Sequence, residues 1–179
     1  EPAPELLDEW GIEQVENDYF VTPARAAALE EWKALHAIGA DRPETRHGTV
    51  GAVARDARGR IAAGTSTGGI TGQVPGRVGD SPLCGAGTYA NETSVAVSCT
   101  GTGETFIRDV AAHQVHARVA LGGQTPGEAA SAMLAGIDAH GGNGGVIVVP
   151  ASGAGVIGRT DGAQMNWGWA SAAGRETHE

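Results

Sequence analysis

The residues of this chain best suited to chemistry are threonines. The first, Thr49, stands where the polar run "DRPETRHG" meets the small-residue segment "TVGAVARD". A threonine hydroxyl is a weak nucleophile at neutral pH until a base takes its proton, and no triad signature such as G-x-S-x-G supplies that base here. A cut before Thr49 would supply it. The new α-amine, with a reference pKa of about 7.7–8.0, can accept the hydroxyl proton within the same residue. Gly48 has no Cβ, which leaves its carbonyl open to the hydroxyl that follows. Taken alone, "HGT" is also an ordinary turn into a strand, since glycine is a routine turn residue.

Two other stretches carry chemistry. In "CTGTGE", Gly101 and Gly103 fall between a strand pattern and a helix pattern, where N–H groups and the helix dipole favour an anion. An oxyanion or a substrate carboxylate suits that turn. A dinucleotide turn suits it less, because G-x-G-x-x-G needs a third glycine where Phe106 stands. In "GRVGDSP", Arg77 can hold a carboxylate through two parallel bonds and Asp80 can pair with an ammonium. Together they would recognise the α-amino acid end of a substrate. The plainer alternative is a surface ion pair between the two.

Positioning these groups falls to a chain that alternates strands and helices. "PELLDEW" is predicted as a short helix, and "TPARAAALEEWKALHAIG" as a longer one with Thr22 as N-cap, Pro23 in its first turn and Gly39 as its stop. Residues 40–48 form a polar linker. "TVGAVARD" and "RIAAGTST" then predict a hairpin in which Thr49 begins the first strand and Thr67 ends the second. Residues 68–91 are too rich in Gly and Pro for regular structure, and a loop of that length reads as functional. "TSVAVSC" is a strand, "ETFIRDVAAHQVHARVAL" one helix, and "TPGE" opens another helix with a capping box of Thr125 and Glu128. "GVIVVP", "GVIGR" and "QMNWGWAS" read as three closing strands. Strands, two helices, then strands predict sheets packed with helices, an α+β or layered α/β domain.

Composition narrows the partners. The formal net charge of −9 has no basic cluster to offset it, which excludes a nucleic-acid or anionic-membrane surface and leaves small molecules or peptides. No apolar run approaches the roughly 18 residues of a membrane span, and the first residues lack a signal-peptide layout, so the chain reads as soluble. Its two cysteines form no C-x-x-C, and they read as reduced, mostly buried thiols in a cytoplasmic setting. His113 and His116, three apart on a helix, have no acidic or Cys partner at ligand spacing, and no metal site is assigned. The sequence does not begin with Met, which points to a processed piece or a fragment.

Taken jointly, "HGTVGAVA", "TSTGG", "PGRVGDSP", "GAGTYAN" and "SCTGTGETFIRDVAA" resemble, in order and spacing over residues 46–115, the plant-type asparaginase and isoaspartyl peptidase family of N-terminal-nucleophile threonine hydrolases. "NDYFVTPAR" is similar to the family's segment before its linker. The resemblance implies a four-layered αββα fold, cleavage of the Gly48–Thr49 bond, and hydrolysis of the side-chain amide of L-asparagine or of β-aspartyl dipeptides. It implies Thr49 as nucleophile with its own amine as base, and Thr67 beside it. It further implies Arg77 on the substrate α-carboxylate, Asp80 on its α-amine, Thr100 and Gly101 as the oxyanion hole, and Gly103 lining the pocket. Residues 1–48 would be the end of an α subunit with its linker, and residues 49–179 the β subunit, paired as a dimer of αβ units. No cofactor is implied. The family's core N-terminal strands, a structural sodium site and an active-site asparagine belong to a part this sequence lacks, so the fold is expected to be partial.

Within that family, glycosylasparaginases are the nearest alternative, but "HGTVG" and "TGTGE" resemble the isoaspartyl type more than "HDTIG" and "TGNGD". "GRTDGAQMNWGWA" departs from relatives, which carry bulkier residues around that turn. From another class, the chain could be a binding domain or a precursor that keeps its threonine blocked.

Overall fold

The computed structural model describes residues 4–38 and 48–178. The expected helix stop at Gly39 and the linker up to His47 lie outside the described residues. The chain divides into two units, residues 1–46 with 71–73, and residues 47–70 with 74–179.

In the first unit, α1 (Pro4–Glu9) and a 3-10 turn (Asn17–Phe20) precede α2 (Pro23–Ala37). Thr22 caps α2 as its sequence predicts: its Oγ1 accepts a bond from Arg25 N at 3.3 Å, and Pro23 sits in the first turn where no N–H is needed. Trp32 and His36, one helical turn apart, stack with ring centres 4.7 Å apart.

The second unit is mixed α/β with antiparallel sheets. β1 (Val50–Arg55) and β2 (Ile61–Ser66) make the expected hairpin, with Gly51 opposite Thr65. Its turn is locked by Asp56, whose Oδ1 accepts from Arg58 N and Arg60 N at 2.8 and 2.9 Å while Oδ2 accepts from Arg60 Nε at 2.7 Å. The Arg60 guanidinium and these amide bonds hold the Asp56 carboxyl below the usual carboxylate range. Thr49 and Thr67 each fall one residue outside the ladder, because pairing stops at Val50 and Ser66.

A four-stranded sheet follows in the order β3 (Thr88–Ala90), β4 (Val95–Gly101), β5 (Gly144–Pro150), β6 (Val156–Arg159). β3 lies inside the stretch expected to be irregular; three residues are too few to show an alternating pattern, and Gly-rich neighbours hide them. β7 (Trp167–Ser171) and β8 (Gly174–His178) pair as a separate hairpin. β8 escapes a pattern reading because "GRETH" has no apolar face; it is held by the ladder and by Trp167 stacked on His178.

On one face of the four-stranded sheet lie the helices α3 (Gly103–Arg108), α4 (Ala111–Ala120) and α5 (Pro126–Ala139). The odd positions of β4, Val95, Val97 and Cys99, bury with Phe106, Val115, Met133, Ile137, Val146 and Val148 in one core. Each fully buried side chain of this size stabilises the fold by about 1.5–3 kcal/mol. α5 carries the predicted capping box, with Glu128 N bonded to Thr125 Oγ1 and Thr125 N to Glu128 Oε2 at 2.8 Å. On the other face, the even positions of β4 meet the β1–β2 hairpin. Arg55 pins the far end of that hairpin, donating to Pro150 O at 2.7 Å and Gly153 O at 3.0 Å.

The single helix expected from Glu104 to Leu121 is two helices. The break has a cause that sequence periodicity does not carry: the N–H groups of Ala112 and His113 bond the carbonyls of Ala86 and Gly85, so the first turn of α4 is capped by a distant loop. The chain reaches that position through Val110 at φ 48°, ψ 49°, a left-handed conformation costly for a β-branched residue. Val110 is 48% exposed and contributes little packing. Val110→Gly should therefore raise Tm by about 2–4 °C, the equivalent of about 1 kcal/mol of relieved strain. Calorimetry giving a lower Tm would show that its side-chain contacts outweigh the strain. A second correction concerns the cysteines, since Cys99 is buried as expected and Cys84 is exposed.

Candidate active site

The hairpin register determines what faces what at its open end. Because Val50 pairs with Ser66 and Gly51 with Thr65, one further step puts Thr49 opposite Thr67. Both threonines line a cleft whose other walls include Gly69, Arg77, Asp80, Ser81 and Gly101. Thr67 is oriented by its own turn, its Oγ1 accepting from Gly69 N at 3.1 Å, which leaves the hydroxyl hydrogen to be donated elsewhere. Gly48 is exposed and Thr49 half-buried.

The loop that carries Asp80 is irregular yet closely bonded. Asp80 O accepts from Leu83 N at 2.9 Å and Gly87 N at 3.1 Å, Gly87 O accepts from Cys99 N at 2.8 Å, and the Gly85 and Ala86 carbonyls cap α4. Asp80 is thereby held 5% exposed. Arg77 is oriented by a partner not foreseen from the sequence: its Nε donates to Glu104 Oε1 at 2.7 Å and its Nη2 to Oε2 at 3.1 Å. The Arg77 side chain is only 14% exposed, so this two-bond pair fixes the guanidinium plane at the cleft wall. The position of a Cβ on Gly103 would lie 3.0 Å from Asp80 Oδ1 and 3.2 Å from Arg77 Nη2, which places Gly103 against both.

At the end of β4, Thr100 precedes Gly101, and only Gly101 reaches the cleft lining. Gly101 has φ +150° and faces Gly144 of β5 across the ladder. A Cβ on Gly101 would fall 2.2 Å from Asn143 O, so the close approach of the two strands requires glycine here. Thr160, directly after β6, braces the pair, its Oγ1 accepting from Gly144 N at 3.0 Å and its N–H donating to Gly144 O at 2.8 Å.

Other candidate nucleophiles are set aside by burial. Burial pushes the Cys99 thiol upward, and the Asp80 charge adds to the effect, so it carries no thiolate. Ser94 Oγ lies 2.6 Å from His116 Nδ1, a hydroxyl–imidazole contact, but Ser94 is 4% exposed and out of reach of substrate. Burial, with His113 beside it, lowers the ionisation of His116, which favours a neutral ring. A wider depression is made by residues 159–166, at the end of β6 and the loop after it, and holds none of Thr49, Thr67, Arg77, Asp80 and Gly101.

Thr49, Thr67, Arg77, Asp80 and Gly101 are thus brought together from four separate stretches of sequence. Two neighbours were passed over. Glu104 directly follows the Gly101–Gly103 turn, and nothing near it in the sequence points to Arg77, 27 positions away. Ser81 directly follows Asp80, and its buried Oγ has no hydrogen-bond partner among the described residues.

The sequence model described as asparaginase matches residues 1–178. The isoaspartyl peptidase of Salmonella typhimurium is 48% identical over 168 residues, 89% of this chain and 54% of the relative. That of Escherichia coli is 46% identical over 168 residues, covering 89% and 52%. The mouse isoaspartyl peptidase/L-asparaginase is 46% identical over 107 residues, 59% of this chain and 32% of its own. The chain spans about half the length of the two bacterial relatives it matches.

Proposed function

Because this chain belongs to the asparaginase family, we propose that it carries the nucleophile of an amidohydrolase acting on the side-chain amide of L-asparagine and on β-aspartyl dipeptides. The observation that supports this reading is the convergence of Thr49, Thr67, Arg77, Asp80 and Gly101 on one cleft. In that cleft two threonine hydroxyls, the Arg77 cation and the Asp80 anion share one lining with Gly101, the set an α-amino acid substrate with a reactive amide calls for.

Two steps use the same hydroxyl. In maturation, Thr49 Oγ attacks the Gly48 carbonyl carbon, the C–N bond breaks, and water hydrolyses the resulting ester to free the Thr49 amine. In turnover, that amine takes the proton from Oγ as it attacks the substrate amide carbon. The oxyanion forms against the Thr100 hydroxyl and the Gly101 N–H, each donor of this kind contributing on the order of 3 kcal/mol. The amine then gives its proton to the leaving ammonia or amino acid, and water releases aspartate from the acyl-threonine. Thr67 tunes the nucleophile from the facing strand. Arg77 takes the α-carboxylate, Asp80 the α-ammonium, and Gly103 leaves room for both. On this reading residues 1–48 end an α subunit and residues 49–179 form the β subunit, in a cytoplasmic dimer of αβ units. The αββα arrangement would add a layer over the outer face of the hairpin, where Val50 is 68% exposed. The structural sodium implied by the resemblance belongs to the family's N-terminal part; among the described residues no group of three or more His, Cys, Asp or Glu could hold a metal ion, and none is assigned to it.

Ammonia release from L-asparagine and aspartate release from a β-aspartyl dipeptide test the reading directly; neither product from the self-cleaved protein would reject it. Arg77→Ala separates binding from folding. It should raise KM by about 30–100-fold, the loss of about 2–3 kcal/mol of charge-assisted bonding, while cleavage before Thr49 proceeds. Equal damage to both reactions would give Arg77 a structural role instead.

A further inference from the structure

One residue pair behind the candidate threonines lies a second polar layer. Thr49 and Gly51 share a face of the first hairpin strand, Thr65 and Thr67 share a face of the second, and Ser98 and Thr100 share a face of β4, since side chains alternate along a strand. Thr65 Oγ1 lies 2.7 Å from Ser98 Oγ and 3.2 Å from Gly87 O. The carbonyl can only accept, so Thr65 donates to Gly87 O and accepts the Ser98 hydroxyl hydrogen, which uses each proton once. Gly87 in turn donates to Asp80 O. A single hydroxyl therefore joins the strand leading to Thr67, the strand leading to Thr100, and the loop that bears Asp80.

Gly51 sets how closely these layers approach. A Cβ there would fall 2.1 Å from Ser98 Oγ and 3.1 Å from Ser98 Cβ, so the backbone two residues after Thr49 rests directly on Ser98. The hairpin is pinned to the sheet at its far end by Arg55 and at its near end by Thr65. The near pin lies two residues from Thr67 and, through Ser98, two from Thr100, and Thr65 pairs with Gly51, two residues after Thr49.

Resting on the reading above, we infer that Thr65 and Ser98 are positioning residues: their hydrogen bond sets the separation of Thr49 and Thr67 from Thr100 and Gly101. Neither hydroxyl touches substrate. Their effect is on alignment, and a misplacement of about 1 Å can cost about 100-fold in rate. Substrate capture depends on Arg77 and on the Asp80 loop, which keeps its main-chain bonds from Leu83 N and Gly87 N to Asp80 O and from Cys99 N to Gly87 O without the Thr65 hydroxyl, so KM is set elsewhere.

The test uses the full chain after self-cleavage, with ammonia release from L-asparagine as readout. Thr65→Val keeps the shape and removes the hydroxyl; it should lower kcat by about 10–100-fold with KM within about twofold. Thr65→Ser restores the hydroxyl and should recover most of kcat, which a purely volumetric role would not. Ser98→Ala should also lower kcat, and the double variant Thr65→Val with Ser98→Ala should be no worse than the poorer single, because the two act through one bond. Losses that multiply, a Thr65→Val kcat within about twofold of the parent, or no recovery in Thr65→Ser would overturn the inference. A Thr65→Val chain too unstable to assay passes the decision to Ser98→Ala, whose undiminished kcat would overturn it as well. A parent that releases no ammonia overturns the functional reading and this inference together; an active parent with silent variants overturns this inference alone.

Discussion

Thr49→Ala should yield a chain that stays intact across residues 48–49 and releases no ammonia from L-asparagine. The substitution removes the one atom that both reactions share, so cleavage and turnover should each fall by about 10⁴-fold or more. Folding should barely register the change. Thr49 lies one residue before the β1 ladder begins, so its side chain supports no strand pairing, and Tm should move by about 2 °C or less. Intact-mass measurement decides the first half of the prediction. A fragment beginning at residue 49 after long incubation of Thr49→Ala would mean that another group cuts the chain. Thr49→Ser keeps a hydroxyl and should regain both reactions at reduced rate, which separates loss of the nucleophile from loss of the fold.

Gly101→Ala should also be damaging, though less so and for a different reason. Its Cβ would meet Asn143 O at 2.2 Å and the Gly144 Cα at 2.7 Å, both main-chain atoms that no rotamer change can move. The φ of +150° adds strain for any side chain. Relief requires β4 and β5 to part at their ends, costing about 2–4 kcal/mol of stability and moving the N–H assigned to the oxyanion. A fall in kcat of about 10²–10³-fold is expected, with a lower urea midpoint. Thr100→Val complements it without the clash: it deletes only a hydroxyl and should lower kcat by about 10²-fold or more while the urea midpoint stays close to that of the parent. Full activity in both variants would remove this strand end from the chemistry.

What the sequence made legible was local. The caps at Thr22 and Thr125 could be read because capping chemistry spans three or four residues. The β1–β2 hairpin could be read from its alternation and its glycine turn, and the cleft residues Thr49, Arg77, Asp80 and Gly101 from motifs a few residues long. Glu104 was hidden because its partner Arg77 is 27 positions away. The break at Val110 was hidden because it is imposed by carbonyls of Gly85 and Ala86, while the residues around it read as good helix. β8 was hidden because its sequence has no buried face to impose a pattern. In each case the missing term was a contact distant along the chain, which periodicity and propensity do not contain.

Among the described strands, β1 bonds to β2 alone, and its first residue, Val50, is largely exposed. An open strand edge of this kind is a template on which another strand can add. What resists that addition is the net charge of −9, a repulsion that salt screens beyond about 8 Å at physiological ionic strength. The colloidal behaviour of the chain is therefore governed by two opposing quantities read from different parts of it, a short apolar edge and a diffuse negative surface. Added salt weakens the second and leaves the first intact, so self-association is expected to rise with ionic strength, and light scattering across a salt series checks it.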